Sequence, residues 1–543
     1  MTRAILSAMR PHHLALATCL FVPACKTSQY VDTNPPQPEP QPPPAVALPA
    51  PAPPMQPETW VGRVESPGGR LDFVARLGPD PEKPGAWRGH MDIPAQGVKN
   101  FPLTNIQLTP ESVEFTLAPP GAPEPQHAVF VAERPAHAGQ AAGEMSQNGQ
   151  TLKLSLRRLA PGESADVGPR RPQEPRPPFP YATRDITFPS PVDKVAIACT
   201  FTSPNAGAKR PAVVLVTGSG AQDRDEAIMG HKPFAVLADH LTRAGVATLR
   251  CDDRGVGGTG GKLDQTTHRT QQQDVGAALG WLAAQPEVDP AGMGVLGHSE
   301  GANIAMLTAA ADKRVAYVVL LAGMGVPGRA LLPMQMAALF RAKGATEEIL
   351  RPMVAAENKL LDALLAKKKR PRAELEALTS DLAKQQISAI KDSPAITAEQ
   401  LAQIIQQTLD AFDTPAMLEI LRHDPRVPLK KIKKPPVLAL NGTLDLQVPH
   451  AENLPPIEQA LRAAGNKDVT AKALPGLNHL FQHATTGGVE EYSEIEETLA
   501  PEVLNEISSW ILARTAGAPA TAPAVKAKAA APATAPAALA PAQ

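Results

Sequence analysis

One eight-residue stretch constrains this chain more than any other. Gly294-Val295-Leu296-Gly297-His298-Ser299-Glu300-Gly301 ends a short apolar run in a Gly-x-Ser-x-Gly pattern, and an alanine-rich helical segment follows at once. Strand, sharp turn bearing a serine, and helix together describe a nucleophile elbow. Small residues at Gly297 and Gly301 suit such a turn, because the new helix must leave close to the strand it came from. An ordinary glycine-rich strand-to-helix turn would read the same way, so the segment needs partners elsewhere in the chain.

In an α/β-hydrolase the acid follows a later strand and the histidine follows the last one, so the order along the chain is Ser, then Asp or Glu, then His. Here Pro436-Val437-Leu438-Ala439-Leu440 leads into Asn441-Gly442-Thr443-Leu444-Asp445, which puts Asp445 just past a strand end. A helical stretch from about Glu452 to Ala464 and an alternating strand, Val469 to Leu474, bring the chain to Pro475-Gly476-Leu477-Asn478-His479. That spacing predicts the loops of Asp445 and His479 at the same sheet edge as Ser299. His450 is too close to Asp445 to compete as the base, and His483 is expected one helical turn beyond the loop. For the oxyanion, the strand Ala212 to Val216 runs into Thr217-Gly218-Ser219-Gly220-Ala221. The backbone N–H of Ser219, with Gly220 the close alternative, is the expected first donor, and that of Glu300 the second. The polar run Gln222 to Glu226 suits a pocket lining and a loop salt-bridge network equally well.

Four segments now resemble a known family: Thr217 to Glu226, Arg250-Cys251-Asp252-Asp253-Arg254-Gly255-Val256-Gly257, Gly297-His298-Ser299-Glu300-Gly301, and Gly476-Leu477-Asn478-His479-Leu480-Phe481-Gln482. They look like those of bacterial α/β-hydrolase esterases of the EstD type, within the serine aminopeptidase-like hydrolases. The resemblance spans about Tyr181 to Leu512 and extends toward the region before it. It implies a Ser299, Asp445 and His479 triad, hydrolysis of small carboxylic esters, and no cofactor. Thr217 departs from the histidine many relatives carry there, a supportive position. A serine aminopeptidase or a thioesterase would share this core, and a tethered binding protein could keep the fold without the chemistry.

The 543 residues leave room for two domains and tails, and with a net charge of −1 nothing points to nucleic acid or to an anionic membrane surface. There is no cysteine-histidine cluster with metal spacing and no dinucleotide fingerprint. Residues 1–24 read as an export signal: Arg3 and Arg10 precede an apolar stretch, Leu14 to Val22, too short to span a bilayer. Cys25 follows in a lipobox-like context as a candidate lipidation site, with simple cleavage after Ala24 as the alternative; a lipid there would be the one membrane contact, on the envelope. Residues 25–57 are a proline-rich linker and 58–160 a small antiparallel β domain, sandwich or barrel, from short alternating runs such as Leu71 to Leu77 and Ser112 to Leu117. A second proline-rich linker, 161–180, leads to the α/β-hydrolase domain, 181–514. Within it, helices without strand signal at about 327–424 read as a cap, and 515–543 is an alanine- and proline-rich tail with too little apolar content to fold. In the cap, Met334, Met336, Leu339 and Phe340 suit packing more than an acyl pocket, and Lys367 to Arg370 suits a solvated helix end. Cys199 and Cys251, in separate strands, are expected as buried thiols rather than a bridge.

Overall fold

The computed structural model describes residues 56–515, apart from 67–68, 95–97, 120–122, 136–138, 166–169, 206 and 391–395. The export segment, Cys25, nearly all of the first linker and the tail after residue 515 lie outside the described residues.

The first unit is a closed barrel. Its strands are β1 (Glu58–Ser66), β2 (Gly69–Pro79), β3 (Trp87–Ile93), β4 (Val98–Leu108), β5 (Ser112–Leu117), β6 (Ala128–Glu133), β7 (Gln140–Gln147) and β8 (Gln150–Arg158). Each pairs antiparallel with the next, and β1 pairs back onto β8. Period-2 patterning puts one face inward: along β6, Ala128, Phe130 and Ala132 are buried while Val129 and Val131 face out. The interior is filled rather than hollow, with Phe115 stacked on Phe130 at 4.9 Å and Phe73 edge-on to both. Alternation alone leaves sandwich and barrel equal; the β1–β8 pairing selects the barrel.

The linker that follows is docked onto the second unit. The Arg171 guanidinium donates to the carbonyls of Met229, Gly230, Ser493 and Ile495, and Gln173 exchanges hydrogen bonds with the Thr498 and Leu499 backbone.

The second unit has the α/β-hydrolase fold. Its strands are β9 (Tyr181–Pro189), β10 (Ala196–Pro204), β11 (Arg210–Val216), β12 (Ala247–Cys251), β13 (Val288–His298), β14 (Tyr317–Leu321), β15 (Val437–Gly442) and β16 (Val469–Leu474). They lie in the order β16-β15-β14-β13-β11-β12-β10-β9, with β11 to β16 parallel and β10 antiparallel to both neighbours. Helices α1 (Pro233–Ala244), α2 (His268–Ala283) and α3 (Glu300–Ala311) connect the first parallel strands. Between β14 and β15 come α4 (Gly328–Ala342), α5 (Glu347–Leu364), α6 (Arg372–Ser388), α7 (Ala398–Phe412) and α8 (Pro415–Arg422), the helical cap, and then the short α9 (Arg426–Leu429). After β15 follow α10 (His450–Ala463), α11 (Val489–Tyr492) and α12 (Pro501–Thr515).

Both faces of the sheet are covered, which is why its central strands are apolar at successive positions. On β11, Ala212 and Val214 pack with Leu279 and Leu282 of α2 and Ile304 of α3; Val213 and Leu215 pack with Leu237 of α1 and Ile507 of α12. The cap has its own core, where Met336 and Phe340 are buried among Leu350, Leu360 and Phe412, in keeping with packing rather than pocket lining.

The two strand cysteines correct the expectation of buried thiols. Cys199 on β10 and Cys251 on β12 form a disulfide, S–S 2.00 Å. They are directly opposite partners in the antiparallel register, with Cα atoms 3.9 Å apart. The pairing exists only because β10 runs against β12, a fact of topology that two separate apolar runs do not reveal.

Candidate active site

Ser299 sits between the end of β13 and the start of α3 with φ 53° and ψ −117°. A non-glycine residue in that region is strained, at a cost on the order of 1–3 kcal/mol, and persists only where its surroundings hold it. The restraint is visible. The Ser299 N–H donates to the Leu321 carbonyl at 2.8 Å. A Cβ at Gly297 would collide with the Gly301 backbone, and one at Gly301 with the Val216 carbonyl. Helix α3 therefore crosses the neighbouring strand ends at backbone contact, and both glycines are steric requirements.

Asp445 follows β15 and His479 follows β16. The His479 Nδ1 lies 2.9 Å from Asp445 Oδ2, and Asp445 Oδ1 accepts the N–H groups of Gln447 and Val448, both at 2.8 Å. Both residues are buried, 3% and 4% exposed. A carboxylate held by two backbone donors accepts from the imidazole, so Nδ1 carries the hydrogen and Nε2 is left as the acceptor. The His479 loop is tied by Asn478, whose Oδ1 accepts from the N–H groups of Leu480 and Gln482, both at 3.0 Å. The His479 ring lies 4.9 Å from that of His298, the residue preceding Ser299. The Ser299 hydroxyl has no hydrogen bond to any described residue, so the structure brings acid and imidazole into direct contact and sets the residue before Ser299 against that imidazole.

The two rival histidines, His450 and His483, do not meet Asp445. His450 opens α10. His483 is not a helical turn away but on the same irregular loop, exposed, with Nδ1 2.9 Å from Glu497 and Nε2 3.0 Å from Glu502. These carboxylates, the Glu497 hydrogen bond foremost, hold it above the usual histidine range.

Ser219 and Glu300 line the same cleft as Ser299, whereas Gly220 does not. Glu300 is the first residue of α3, so its N–H has no acceptor within the helix; its carboxylate meets His268 Nε2 at 2.7 Å. The Gln222 to Glu226 run is a network rather than a lining. Arg224 pairs with Asp252 at 2.7 Å and Asp225 with Arg250 at 2.8 Å. Thr217 donates to Asp253 at 2.9 Å, a carboxyl that burial pushes up to about 7.

Glu226 has a further connection. Its Oε1 accepts the Gly218 N–H at 2.6 Å and lies 3.0 Å from His298 Nδ1, while His298 Nε2 donates to the His479 carbonyl at 3.0 Å. Burial alone would lower the His298 imidazole, but the charge and hydrogen bond of Glu226 outweigh it and hold the group above the ordinary range. One buried pair thus joins the Gly218–Ser219 turn, the strand end before Ser299 and the His479 loop. The polar residue inside Gly-x-Ser-x-Gly was its only sequence signal.

The cleft is roofed by the cap: Leu331, Leu332 and Gln335 of α4, Glu357 of α5, Phe412 of α7, and Met417 and Ile420 of α8. Its floor adds Asn303, Met324, Gln447 and Val448. Sequence reasoning passed over Glu357, although the signal was there: Leu350, Met353, Leu360, Leu361 and Leu364 form the apolar stripe of α5, and Glu357 stands in it.

Residues 231–484 match the family model described as serine aminopeptidase, S33. Two Escherichia coli proteins, both described as an uncharacterized 31.7 kDa protein in the traX-finO intergenic region, are 28% identical to this chain over 123 residues. That stretch is 23% of this chain and 41% of theirs, so the chain spans less than half the length of these curated relatives. Among solved structures, the Pyrococcus furiosus esterase Pf2001 is 17% identical, covering 65% of this chain and 99% of that one, with TM-score 0.38. The α/β hydrolase GrgF from Penicillium sp. sh18 is 17% identical over 62% of this chain and 99% of that one, TM-score 0.37. EstE1, a thermostable carboxylesterase from a metagenomic library, is 17% identical over 62% and 89%, TM-score 0.33. The family match, on a sheet of this order, supports a serine hydrolase of the α/β fold.

Proposed function

We propose that the protein hydrolyses carboxylic esters through Ser299, His479 and Asp445. The observation that carries this reading is the buried Asp445–His479 hydrogen bond at the sheet edge where the strained Ser299 turn opens into a cleft. With Nδ1 hydrogen committed to Asp445, Nε2 of His479 takes the Ser299 proton as Oγ attacks the ester carbonyl. The oxyanion accepts from the Ser219 and Glu300 N–H groups. Collapse of the tetrahedral intermediate expels the alcohol, protonated by His479, and leaves an acyl-serine. Water, deprotonated by the same imidazole, then releases the acid.

Ser299→Ala should lower kcat on a short p-nitrophenyl ester by about four powers of ten and abolish labelling by a fluorophosphonate. His479→Ala should do likewise, and His483→Ala should keep most activity. A loss below about tenfold for Ser299→Ala refutes the assignment. The family description favours a second reading, a serine aminopeptidase on the same residues; turnover of aminoacyl amides above simple esters would select it. We also propose export, with Cys25 as the lipid tether. The Cys199–Cys251 disulfide supports an oxidising compartment.

A further inference from the structure

Helix α3, one turn past Ser299, carries Asn303, and the cap helix α5 carries Glu357; both line the cleft that holds Ser299. Asn303 is 0% and Glu357 1% exposed. Neither the Oδ1 nor the Nδ2 of Asn303 has a hydrogen-bond partner, and neither does Glu357 Oε2. Buried polar atoms are almost always paired, and an orphan is destabilising unless something else is bound to it. Three such atoms lie on floor and roof of one cleft otherwise walled by side chains such as Leu331, Phe412 and Met417, where a polar group of a bound molecule would pair them.

The chemistry they would accept is narrow. Arg329 is the cation closest in effect to Glu357, but its guanidinium is committed to Asp362 and Asn358. Burial, only partly opposed by Arg329, pushes the Glu357 carboxyl up to about 8, so at neutral pH it is an uncharged acid that donates as well as accepts. Asn303 likewise offers one donor group and one acceptor. An ammonium would find too few acceptors and no negative charge. A plain hydrocarbon chain would bury the orphans further without satisfying them.

We propose that Asn303 and Glu357 form a polar subsite that selects esters carrying an uncharged hydroxyl or carbonyl group on the part of the substrate lying beneath the cap. The inference rests on Ser299 being the nucleophile. A site built to hydrogen-bond a substrate group rejects the analogue lacking it, because its own polar groups are then left unpaired.

The test is a set of matched p-nitrophenyl esters, butyrate, 3-hydroxybutyrate and 4-aminobutyrate, and butyrate esters of propanol and of propane-1,3-diol, compared by kcat/KM on the full chain. The wild type should favour the hydroxylated member of at least one pair by about tenfold or more. Glu357→Gln, which keeps a donor and an acceptor, should retain that ratio, whereas Glu357→Leu and Asn303→Leu should bring it toward one. Using the ratio within each variant separates recognition from any general loss of activity. Fluorophosphonate labelling of Ser299 together with equal turnover of plain and hydroxylated esters, or preference for the amino ester, overturns the subsite and leaves the nucleophile standing. Absence of both labelling and turnover overturns the nucleophile and the subsite with it.

Discussion

Removing the Glu226 carboxylate should loosen three loops at once. Its Oε1 holds the Gly218 N–H at 2.6 Å and faces His298 Nδ1 at 3.0 Å, and His298 in turn holds the His479 carbonyl. Glu226 and His298 are 3% and 7% exposed, so solvent cannot substitute for either partner without rearrangement. Glu226→Ala leaves a backbone donor and a buried imidazole unpaired, and deleting one member of a buried charged pair costs about 3–5 kcal/mol. Glu226→Gln keeps an oxygen that accepts from both the Gly218 N–H and the Nδ1–H of a neutral His298, whose Nε2 then lacks the hydrogen it donated to the His479 carbonyl, so near neutral pH it should cost about 1 kcal/mol, one hydrogen bond. The two variants differ most usefully in pH. His298 is held above its unfolded value of 6.5, chiefly by Glu226 against the opposing effect of burial, with Asp445 adding a little. The stability this confers is fully present below 6.5 and is lost as pH rises through the folded value. The gap between wild type and Glu226→Gln should therefore be widest in acid and close toward alkaline pH. Urea unfolding of all three proteins between about pH 5.5 and about pH 8.5 reads this directly. In parallel, kcat on a short ester should fall in Glu226→Ala by about a hundredfold, the scale of losing one oxyanion donor, because Gly218 precedes Ser219. A stability gap that is flat in pH, or widens in alkali, would show that no charged Glu226–His298 pair exists.

Two other outcomes are expected. The Cys199–Cys251 disulfide closes a loop with a sequence separation of 52, which in the chain-entropy view corresponds to about 4 kcal/mol; replacing both by alanine should lower the guanidinium midpoint clearly, and an unchanged midpoint would mean that the bridge does not form in solution. Mass spectrometry of the mature N-terminus should find a diacylglyceryl-modified Cys25, and an unmodified end starting at Cys25 would replace the tether by plain export.

Local patterns carried much of the architecture. The strand expected at Val469 to Leu474 is β16 residue for residue, the helix expected from about Glu452 is α10, and the helical insertion of about 327–424 is the run α4 to α8. That Asp445 and His479 stand on loops after strands was legible because each follows an apolar or alternating run, β15 and β16, and parallel strands end at one edge of the sheet. Glu357 was missed for the opposite reason. Its neighbours in contact belong to other helices, so nothing within α5 says whether a glutamate in the apolar stripe meets a partner, water or a cleft. Cys199 and Cys251 show the same limit for strands, since a bridge needs a register and a direction, not only two buried positions.

What the amino-acid order determined by itself was whatever rests on near neighbours: where strands and helices begin, that the Ser299 turn demands glycine on either side, and that the first unit alternates whereas the central strands of the second are apolar throughout. Tertiary structure alone decided whether the barrel closes, which cysteines meet, that Glu226 reaches across to His298, and that Asn303 and Glu357 face one cleft unpaired. The physical reason is that backbone sterics and periodicity act over a few residues, whereas hydrogen bonds, ion pairs and desolvation depend on distances between atoms that only the folded chain brings together.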